Sequence, residues 1–254
     1  MRIKAGIDIG SVTTKCVIVE DGIIKGKAIT RTTAEPEKCA EIVLNKAIEE
    51  SGIKESDIES IVSTGYGRRI FRKANKIITE ITGVAKGAYY LIGKKKCIVI
   101  DVGGQDTKVV EVSENGEVVD FLMNDKCAAG TGRFLEMMAN VFGIDVENFS
   151  NLAMNSKNPV KINSTCSVFA ESEVVSLITS GTPKEDIAGG LFNSIASRIA
   201  GMVRQFGQSE LIVFCGGGAK ITALKYSIEK VIEKEIIVLP EPQFVVAFGA
   251  AITE

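Results

Sequence analysis

Two stretches of this sequence repeat each other, GIDIGSVTTKCVIVEDG beginning at Gly6 and VIDVGGQDTKVVEVSENG beginning at Val99. Each copy predicts a strand, a tight turn that contains glycine, and a second strand, which together form a β-hairpin with a polar tip. Four positions match at one constant offset, namely Asp8 with Asp101, Gly10 with Gly103, Thr14 with Thr107 and Lys15 with Lys108. Chance similarity between two hydrophobic hairpins is the alternative, but β-propensity alone does not keep polar residues in register. The repeat therefore predicts a chain built from two related halves.

The polar tips of both hairpins suit the phosphates of a nucleotide. Glycine lets the backbone approach closely, so that amide N–H groups and hydroxyls can bond phosphate oxygens. A carboxylate at the end of each first strand, Asp8 or Asp101, is placed to hold the water shell of Mg²⁺. Lys15 and Lys108 either add positive charge to this site or are solvated strand residues. The chain has no GxxxxGK[ST] motif, so the sequence does not predict a P-loop.

Composition limits the class of protein further. The 254 residues, 45% of them hydrophobic, suffice for two modest domains. A formal net charge of −2 without a basic run argues against nucleic acid as a partner, and no apolar run is long enough to predict a membrane span. We expect a cytoplasmic protein, because the N-terminus lacks the pattern of a signal peptide. Histidine is absent, which excludes Ser-His-Asp or Cys-His catalysis and His-ligated metal sites.

Short strand-like runs alternate with amphipathic helical patterns along the chain, which is typical of an α/β protein. Helices are predicted for PEKCAEIVLNKAIEES, TGRFLEMMANVFG, VFAESEVVSLIT, KEDIAGGLFNSIASRIAGMVRQFG and ITALKYSIEKVIEK. Two cysteines stand just before predicted helices, Cys127 in NDKCAAGTGRF and Cys166 in NSTCSVFAESEV. Helix N-termini lower the pKa of a thiol and suit a metal-bound thiolate, but from the residues alone a buried structural thiol is an equally good interpretation. The remaining cysteines are predicted to be small core residues: Cys16, Cys39, Cys97 and Cys215.

Further motifs place the repeat in a known superfamily. VFCGGGAKITAL is a glycine-rich turn between a strand and a helix, and STGYGR and VAFGAA follow other predicted elements. Together with the hairpins they resemble the superfamily of actin, sugar kinases and heat-shock chaperones. In that resemblance the hairpins are two phosphate loops, VFCGGGA is the adenosine turn, and STGYGR and VAFGAA are hinge segments. The implied fold is α/β, a duplicated actin-like (ribonuclease H-like) ATPase fold whose two similar lobes, 1–96 and 97–254, have a nucleotide cleft between them.

The two cysteine motifs narrow the resemblance. In order with GIDIGS, TGYGR, IDVGGQD and FGAA, they are similar to the ATP-dependent activators of 2-hydroxyacyl-CoA dehydratases, which are related to ATPase subunits of benzoyl-CoA reductases. The resemblance implies a homodimer with one [4Fe–4S] cluster at its interface, ligated by Cys127 and Cys166 of each chain. Such a cluster usually takes four thiolates, and two-fold symmetry allows each chain to supply two.

The resemblance also implies roles for residues of the nucleotide site. Asp8 and Asp101 arrange Mg²⁺ through water, and Gln105 or Asp101 positions the attacking water. Contacts to the phosphates of ATP or ADP are expected from Ser11, Val12, Thr13, Thr14 and Lys15 on one side and from Gly103, Gly104 and Gln105 on the other. The other expected nucleotide contacts are Thr131 and Gly132 after Cys127, and Gly217, Gly218 and Gln243 around the adenosine.

Two pairs of residues keep open interpretations. Glu171 and Glu173 are either nucleotide contacts or charges of the first helical turn after Cys166. Tyr66 and Arg68 belong to a hinge, to a partner contact or to an ordinary turn.

The expected function is that of an ATP-hydrolysing one-electron donor of anaerobic metabolism. Ferredoxin or flavodoxin would reduce it, and it would activate a separate 2-hydroxyacyl-CoA dehydratase. Three alternatives remain open: an ATPase subunit of a benzoyl-CoA reductase-type complex, a small-molecule kinase of the same fold, and an actin-like filament or scaffold element.

Overall fold

The chain forms two compact units. The structure is a computed structural model, which describes residues 2–126, 129–163, 167–207 and 209–253, without the side chains of residues 167 and 168. Unit 1 consists of Met1–Val99, Val110–Phe121 and Leu239–Glu254, and unit 2 consists of Ile100–Val109 and Leu122–Val238. The C-terminal segment therefore belongs to the same unit as the N-terminal segment. The predicted lobes, 1–96 and 97–254, divide the sequence at a single point, and that boundary stays a prediction.

Strands and helices are numbered in chain order. The strands are β1 (Ile3–Ile9), β2 (Thr13–Glu20), β3 (Ile23–Arg31), β4 (Ser60–Thr64), β5 (Lys76–Ile77), β6 (Cys97–Val102), β7 (Thr107–Val112), β8 (Val118–Asn124), β9 (Ile212–Cys215) and β10 (Ile237–Val238). The helices are α1 (Pro36–Ser51), α2 (Glu80–Leu91), α3 (Gly132–Val141), α4 (Val146–Met154), α5 (Ser167–Thr179), α6 (Lys184–Val203), α7 (Thr222–Ile232) and α8 (Val245–Ala251). Each helix in the described part of the chain is too short or too polar to cross a membrane.

The two sheets of the protein have the same strand order. The first sheet runs β3-β2-β1-β4-β5, and the second runs β8-β7-β6-β9-β10, so each strand of the second corresponds to the strand five places earlier in the chain. In the first sheet β1, β2 and β3 are antiparallel neighbours, and β4 joins β1 in parallel. The duplication predicted from the two hairpins therefore extends to the order of complete sheets.

Strand β1 faces a different layer on each side of the first sheet. On one face Ile7 packs in a core cluster with Leu44 of α1. On the other face Gly6 lies against the carbonyl of Ala247 in α8, where a side chain would have no room. Side chains alternate along a strand, so Asp8 lies on the same face as Gly6. This alternation separates the polar end of β1 from the apolar core under α1.

The VAFGAA motif, interpreted from the sequence as a hinge segment, forms most of helix α8. In unit 1 this helix packs against β1, β2 and α2. Gly249 of α8 lies so close to the carbonyl of Gly83 in α2 that a Cβ atom would collide with it. Glycine at this position therefore serves close helix packing, and the hinge role of the motif stays a prediction.

Candidate nucleotide-binding site

The hairpin of β1 and β2 places a buried carboxylate beside an ammonium group. Asp8 is 2% exposed, and Lys15, its neighbour across the two strands, donates from Nζ to Asp8 Oδ2 at 2.9 Å. The other carboxylate oxygen, Oδ1, is buried and has no hydrogen-bond partner among the described residues. Lys15 therefore balances the charge of Asp8 while leaving one oxygen available to a ligand.

A short hydrogen-bond chain fixes the turn of this hairpin. The Thr32 hydroxyl donates to Gly10 O at 2.8 Å and lies 2.9 Å from the Thr14 hydroxyl. The amide of Thr32 donates to Val12 O at 2.9 Å. Ser11, Val12 and Thr13 are half-buried along the turn, whereas Thr14 is buried behind it. The Thr14 side chain thus supports the loop from within.

The hairpin of β6 and β7 repeats the carboxylate–ammonium pair and adds a second carboxylate. Lys108, 1% exposed, lies with its Nζ 2.7 Å from Asp106 Oδ1 and 3.7 Å from Asp101 Oδ2. The interpretation of Lys108 as a solvated residue is therefore wrong. Two buried carboxylates therefore lie beside the same ammonium group. Asp106 was not predicted, because its counterpart at the same offset in the repeat is Thr13.

The second phosphate loop is bonded directly to the start of α3. The amide of Gly132 donates to Gly103 O, and that of Arg133 donates to Gly104 O, both at 2.9 Å. Thr107, the repeated threonine, donates its hydroxyl to Gly130 O at 2.7 Å. The structure therefore brings Gly132 together with the loop, and buried Thr131 lies between the bonded residues. The predicted contacts of Thr131 and Gly132 with a nucleotide stay predictions.

The glycine-rich turn after β9 packs at the end of β6. Gly216, with φ of 80°, lies against Asp101 and the carbonyl of Val102, in a position that a side chain would fill. A Cβ atom on Gly218 would come within 2.6 Å of Val102 Cβ. The turn predicted to border the adenosine, which includes Gly217, therefore lies beside the second phosphate loop within unit 2.

Two further predicted site residues lie in different units, Gln105 in unit 2 and Gln243 in unit 1. Gln105 is exposed at the tip of the β6–β7 hairpin. Gln243 belongs to unit 1, where it is half-buried in the turn that leads into α8. Their contacts with a nucleotide stay predictions.

Each hairpin has a buried carboxylate that is a candidate for holding a hydrated magnesium ion, Asp8 in unit 1 and Asp101 in unit 2. Among the described residues, no group of three or more carboxylates and thiols is arranged to bind a metal ion directly. Mg²⁺ commonly keeps several waters and is then held through one or two carboxylates and the phosphates of a nucleotide. Asp8, with its unpartnered Oδ1, and Asp101 are carboxylates suited to that role.

The cluster cysteines predicted from the sequence, Cys127 and Cys166, lie outside the described residues. The helices after them are described: α3 begins at Gly132, α5 begins at Ser167, and the two helices pack against each other in unit 2. The four remaining cysteines are buried, as predicted, and form no disulfide bond: Cys16, Cys39, Cys97 and Cys215. Burial raises the pKa of the Cys97 thiol to about 12 and also raises that of Cys16. Neither of these two thiols is poised to act as a thiolate ligand.

The segment that leads towards Cys166 is anchored by two carboxylates. Asp186, in the first turn of α6, accepts hydrogen bonds at Oδ1 from the amides of Lys157 and Asn158 at 3.0 and 2.9 Å. Glu173 of α5 accepts from the backbone and side-chain nitrogens of Asn163 at 2.9 and 3.1 Å. Glu173 was interpreted from the sequence as a nucleotide contact or as a charge of the first helical turn. The structure adds a third role, because its carboxylate binds the backbone of Asn163 shortly before Cys166 in the sequence.

Removal of the Asp186 carboxylate is expected to lower the melting temperature at neutral pH. The amide of Asn158, the hydroxyl of Ser156 and the amide of Lys157 lower the pKa of Asp186 below its ordinary value. A lowered folded-state pKa stabilises the fold above the unfolded pKa, about 3.9, and this contribution is lost as the pH falls through the folded value. Thermal unfolding of Asp186→Ala and the wild type between pH 7 and pH 3 should give curves that converge only at the acid end. Glu185→Ala is the matched control in the same helical turn, and an equal loss in that variant would contradict the role of Asp186.

Comparison with known proteins agrees with this geometry. The sequence is 41% identical over 249 residues to the 2-hydroxyisocaproyl-CoA dehydratase activator of Clostridioides difficile, covering 97% of this chain and 92% of that one. The structure matches that of the activator of the 2-hydroxyisocaproyl-CoA dehydratase from Clostridium difficile with bound ADPNP, with a TM-score of 0.91, 40% identity and coverage of 98% and 92%. It matches component A of the (R)-2-hydroxyglutaryl-CoA dehydratase of Acidaminococcus fermentans with a TM-score of 0.92, 38% identity and coverage of 99% and 96%.

More distant matches concern the alternative functions. One subunit of the benzoyl-CoA reductase of Thauera aromatica is 30% identical over 263 residues, covering 99% of this chain and 93% of that one. A ROK family glucokinase of Streptomyces griseus has a TM-score of 0.60 at 14% identity, with 98% of both chains covered, and this likeness concerns the fold alone. The predicted actin-like α/β fold class is confirmed by these neighbours.

The last comparison is with a protein family as a whole. The model of one ATPase family matches residues 5–253, which include both hairpins, the glycine-rich turn and both cysteine motifs. The motifs used above to narrow the resemblance all lie within the matched residues. The chain belongs to the BadF/BadG/BcrA/BcrD ATPase family.

Proposed function

We propose that this protein hydrolyses ATP in order to activate a 2-hydroxyacyl-CoA dehydratase, to which it donates one electron. The observation that carries the proposal is the direct bonding of the second phosphate loop to α3, the helix that follows Cys127. In a chain with about 41% identity to an activator of such a dehydratase, this contact joins the expected nucleotide site to the expected redox site.

The two hairpins supply the groups that bind Mg-ATP. The turn residues Ser11 to Thr13 and the loop at Gly103 and Gly104 bond the phosphate oxygens through amides and hydroxyls. Asp8 and Asp101 hold the ion through its water shell, and the ion neutralises charge that develops on the phosphates. Gln105 or Asp101 positions the attacking water, since the sequence has no histidine for that task.

The donor set of the chain fits a [4Fe–4S] cluster shared by two copies. The four described cysteines are buried residues of strands or helices. Cys127 and Cys166 are therefore the remaining candidate ligands. Two thiolates from each chain of a homodimer complete the usual set of four. The cluster supplies a one-electron carrier when bound, with ferredoxin or flavodoxin as the proposed reductant.

Coupling between the two sites follows from the backbone contacts. When the loop at Gly103 and Gly104 changes its hold on the phosphates, the amides of Gly132 and Arg133 move with its carbonyls. The start of α3, a helix that follows Cys127 in the sequence, would then shift. Hydrogen bonds and solvent exposure set the reduction potential of an iron–sulfur centre, so such a shift would change the driving force that a cluster held by Cys127 and Cys166 supplies.

Reconstitution under anaerobic conditions tests this function. The purified protein is mixed with a 2-hydroxyacyl-CoA dehydratase, a low-potential reductant and ATP, and dehydration of lactoyl-, 2-hydroxyisocaproyl- or 2-hydroxyglutaryl-CoA is followed. We expect activity with one of these dehydratases only when protein, reductant and ATP are all present. ATP hydrolysis without activation of any of the three would count against the proposal. Stable co-purification with other subunits of a benzoyl-CoA reductase-type complex would instead favour the role of the Thauera aromatica relative.

A further inference from the structure

The end of β4 places a buried hydroxyl next to Asp8 in unit 1. Thr64 is the register partner of Asp8 in the parallel pair of β1 and β4, so both side chains lie on the sheet face that α8 packs against. Thr64 is 0% exposed, and its Oγ1 has no hydrogen-bond partner among the described residues. The same is true of Asp8 Oδ1. Two unpartnered oxygens on neighbouring strands are unusual, because buried polar atoms are nearly always hydrogen-bonded.

The turn after Thr64 brings the backbone close to Asp8 Oδ1. Gly65 has φ of 88°, and a Cβ atom there would lie 2.6 Å from Asp8 Oδ1. The amide of Gly67 donates to Ile9 O at 2.9 Å, and Arg68 Nη1 donates to Gly65 O at 3.0 Å. These bonds hold the turn over the end of β1, and only glycine lets the backbone pass this close to Asp8, because a side chain would have no room. Arg68 thus has a structural contact that supports the turn.

Ser63, the residue before Thr64, shows what distinguishes this position. Its hydroxyl is also fully buried and unpartnered among the described residues. Ser63 pairs with Ile7, however, and therefore lies on the opposite face of the sheet, where Ile7 belongs to the apolar core under α1. What distinguishes Thr64 from Ser63 is therefore the neighbouring unpartnered oxygen, Asp8 Oδ1, and not burial alone.

A water bound to a metal ion matches this pair of oxygens. Such a water directs its lone pair at the ion and presents two hydrogens, so it needs two acceptors. Asp8 Oδ1 is one acceptor, since Lys15 occupies only Oδ2, and a threonine hydroxyl can turn so that a lone pair faces the water. Asp8 was predicted from the sequence to hold the ion, whereas Thr64 was not predicted to belong to the site.

We propose that Thr64 is a positioning residue of the nucleotide site, which together with Asp8 Oδ1 holds one water of the hydrated Mg²⁺ that accompanies ATP. This inference rests on the proposed function, because it assumes that Mg-ATP is the ligand. Thr64 acts on the ion through that water and touches no reacting atom.

Nucleotide binding as a function of Mg²⁺ concentration tests the role without an activity assay. The probe is ADPNP, measured by calorimetry across a magnesium titration and again in EDTA. For Thr64→Val, which keeps the shape but removes the hydroxyl, we expect the magnesium concentration for half-maximal effect to rise about tenfold, as for one lost hydrogen bond. Binding in EDTA should be unchanged, whereas a merely structural role would weaken both measurements.

Two further variants make the test decisive. Thr64→Ser retains the hydroxyl and should restore the wild-type magnesium dependence, while Ser63→Ala, on the other face, should not alter it. An unchanged magnesium dependence in folded Thr64→Val would overturn the inference, and so would failure of Thr64→Ser to restore it. A wild-type protein that binds no ADPNP at any magnesium concentration would refute the proposed function itself, which separates the two outcomes.

Discussion

Replacement of Cys127 or Cys166 by alanine is expected to abolish iron binding and to weaken the homodimer. Each substitution removes two of the four thiolates of a shared cluster, because both copies carry the change. Two remaining thiolates do not hold a [4Fe–4S] cluster, so we expect loss of essentially all iron and sulfide rather than half. Iron and acid-labile sulfide are measured on anaerobically purified protein, and the association state by sedimentation.

The control for this prediction is Cys39→Ala. Cys39 is 4% exposed in α1 of unit 1 and is a free thiol of the core. Its replacement should leave iron content and dimerisation unchanged. Full iron content in Cys127→Ala would contradict the ligand assignment. Sedimentation with ATP also addresses the filament alternative, which predicts assemblies much larger than a dimer.

The variant Asp101→Asn is expected to lose ATPase activity while it keeps its iron. Asp101 is 3% exposed and lies at the carboxyl end of β6, where its Oδ2 is 3.7 Å from Lys108 Nζ. An amide in this position no longer carries the negative charge that holds hydrated Mg²⁺, and we expect turnover to fall by about 100-fold or more, the range of a single positioned catalytic group. Steady-state ATP hydrolysis and iron content are measured on the same preparation.

A matched control exists for the charge change. Asp120 on β8 is exposed, and its carboxylate accepts a bond from the neighbouring amide of Phe121. Asp120→Asn should hydrolyse ATP at the wild-type rate. Turnover of Asp101→Asn within a factor of two or so of the wild type would refute the role of this carboxylate in the reaction.

The repeated hairpins were the strongest guide to the fold, because their register fixes two related sheets. Helix α1 also has the predicted bounds, since Pro36 marks its first turn and Gly52, with φ of 67°, ends it. Both signals are local in sequence. They require no knowledge of what the helix packs against.

Other elements depend on contacts that the sequence pattern does not display. Helix α2 was not predicted because Gly83 and Gly87 lower helix propensity, yet both glycines allow close packing on α8. Helix α4 is short, and its signal was the cap at Asp145, whose carboxylate accepts from the amide of Asn148 at 2.8 Å. The two helices were missed for different reasons. Tertiary packing determines that α2 forms, whereas α4 has a local capping signal in the sequence.

The site shows the same division. The repeat indicated Asp8, Asp101 and both lysines by position, but not that Lys108 is buried between two carboxylates. Thr64 was not predicted to belong to the site, because it is brought next to Asp8 by the pairing of β1 with β4, which sequence spacing does not reveal. Residues that belong to one motif were therefore predictable, and residues that complete a site from a distant strand were not.

The central claim is that two copies of the chain share one cluster through Cys127 and Cys166. The most direct test is an iron and sulfide count per chain on anaerobically purified protein of measured association state. The account predicts a brown dimer with about four irons and four sulfides for every two chains. A colourless dimer without iron would contradict it, and so would a monomer that carries four irons by itself.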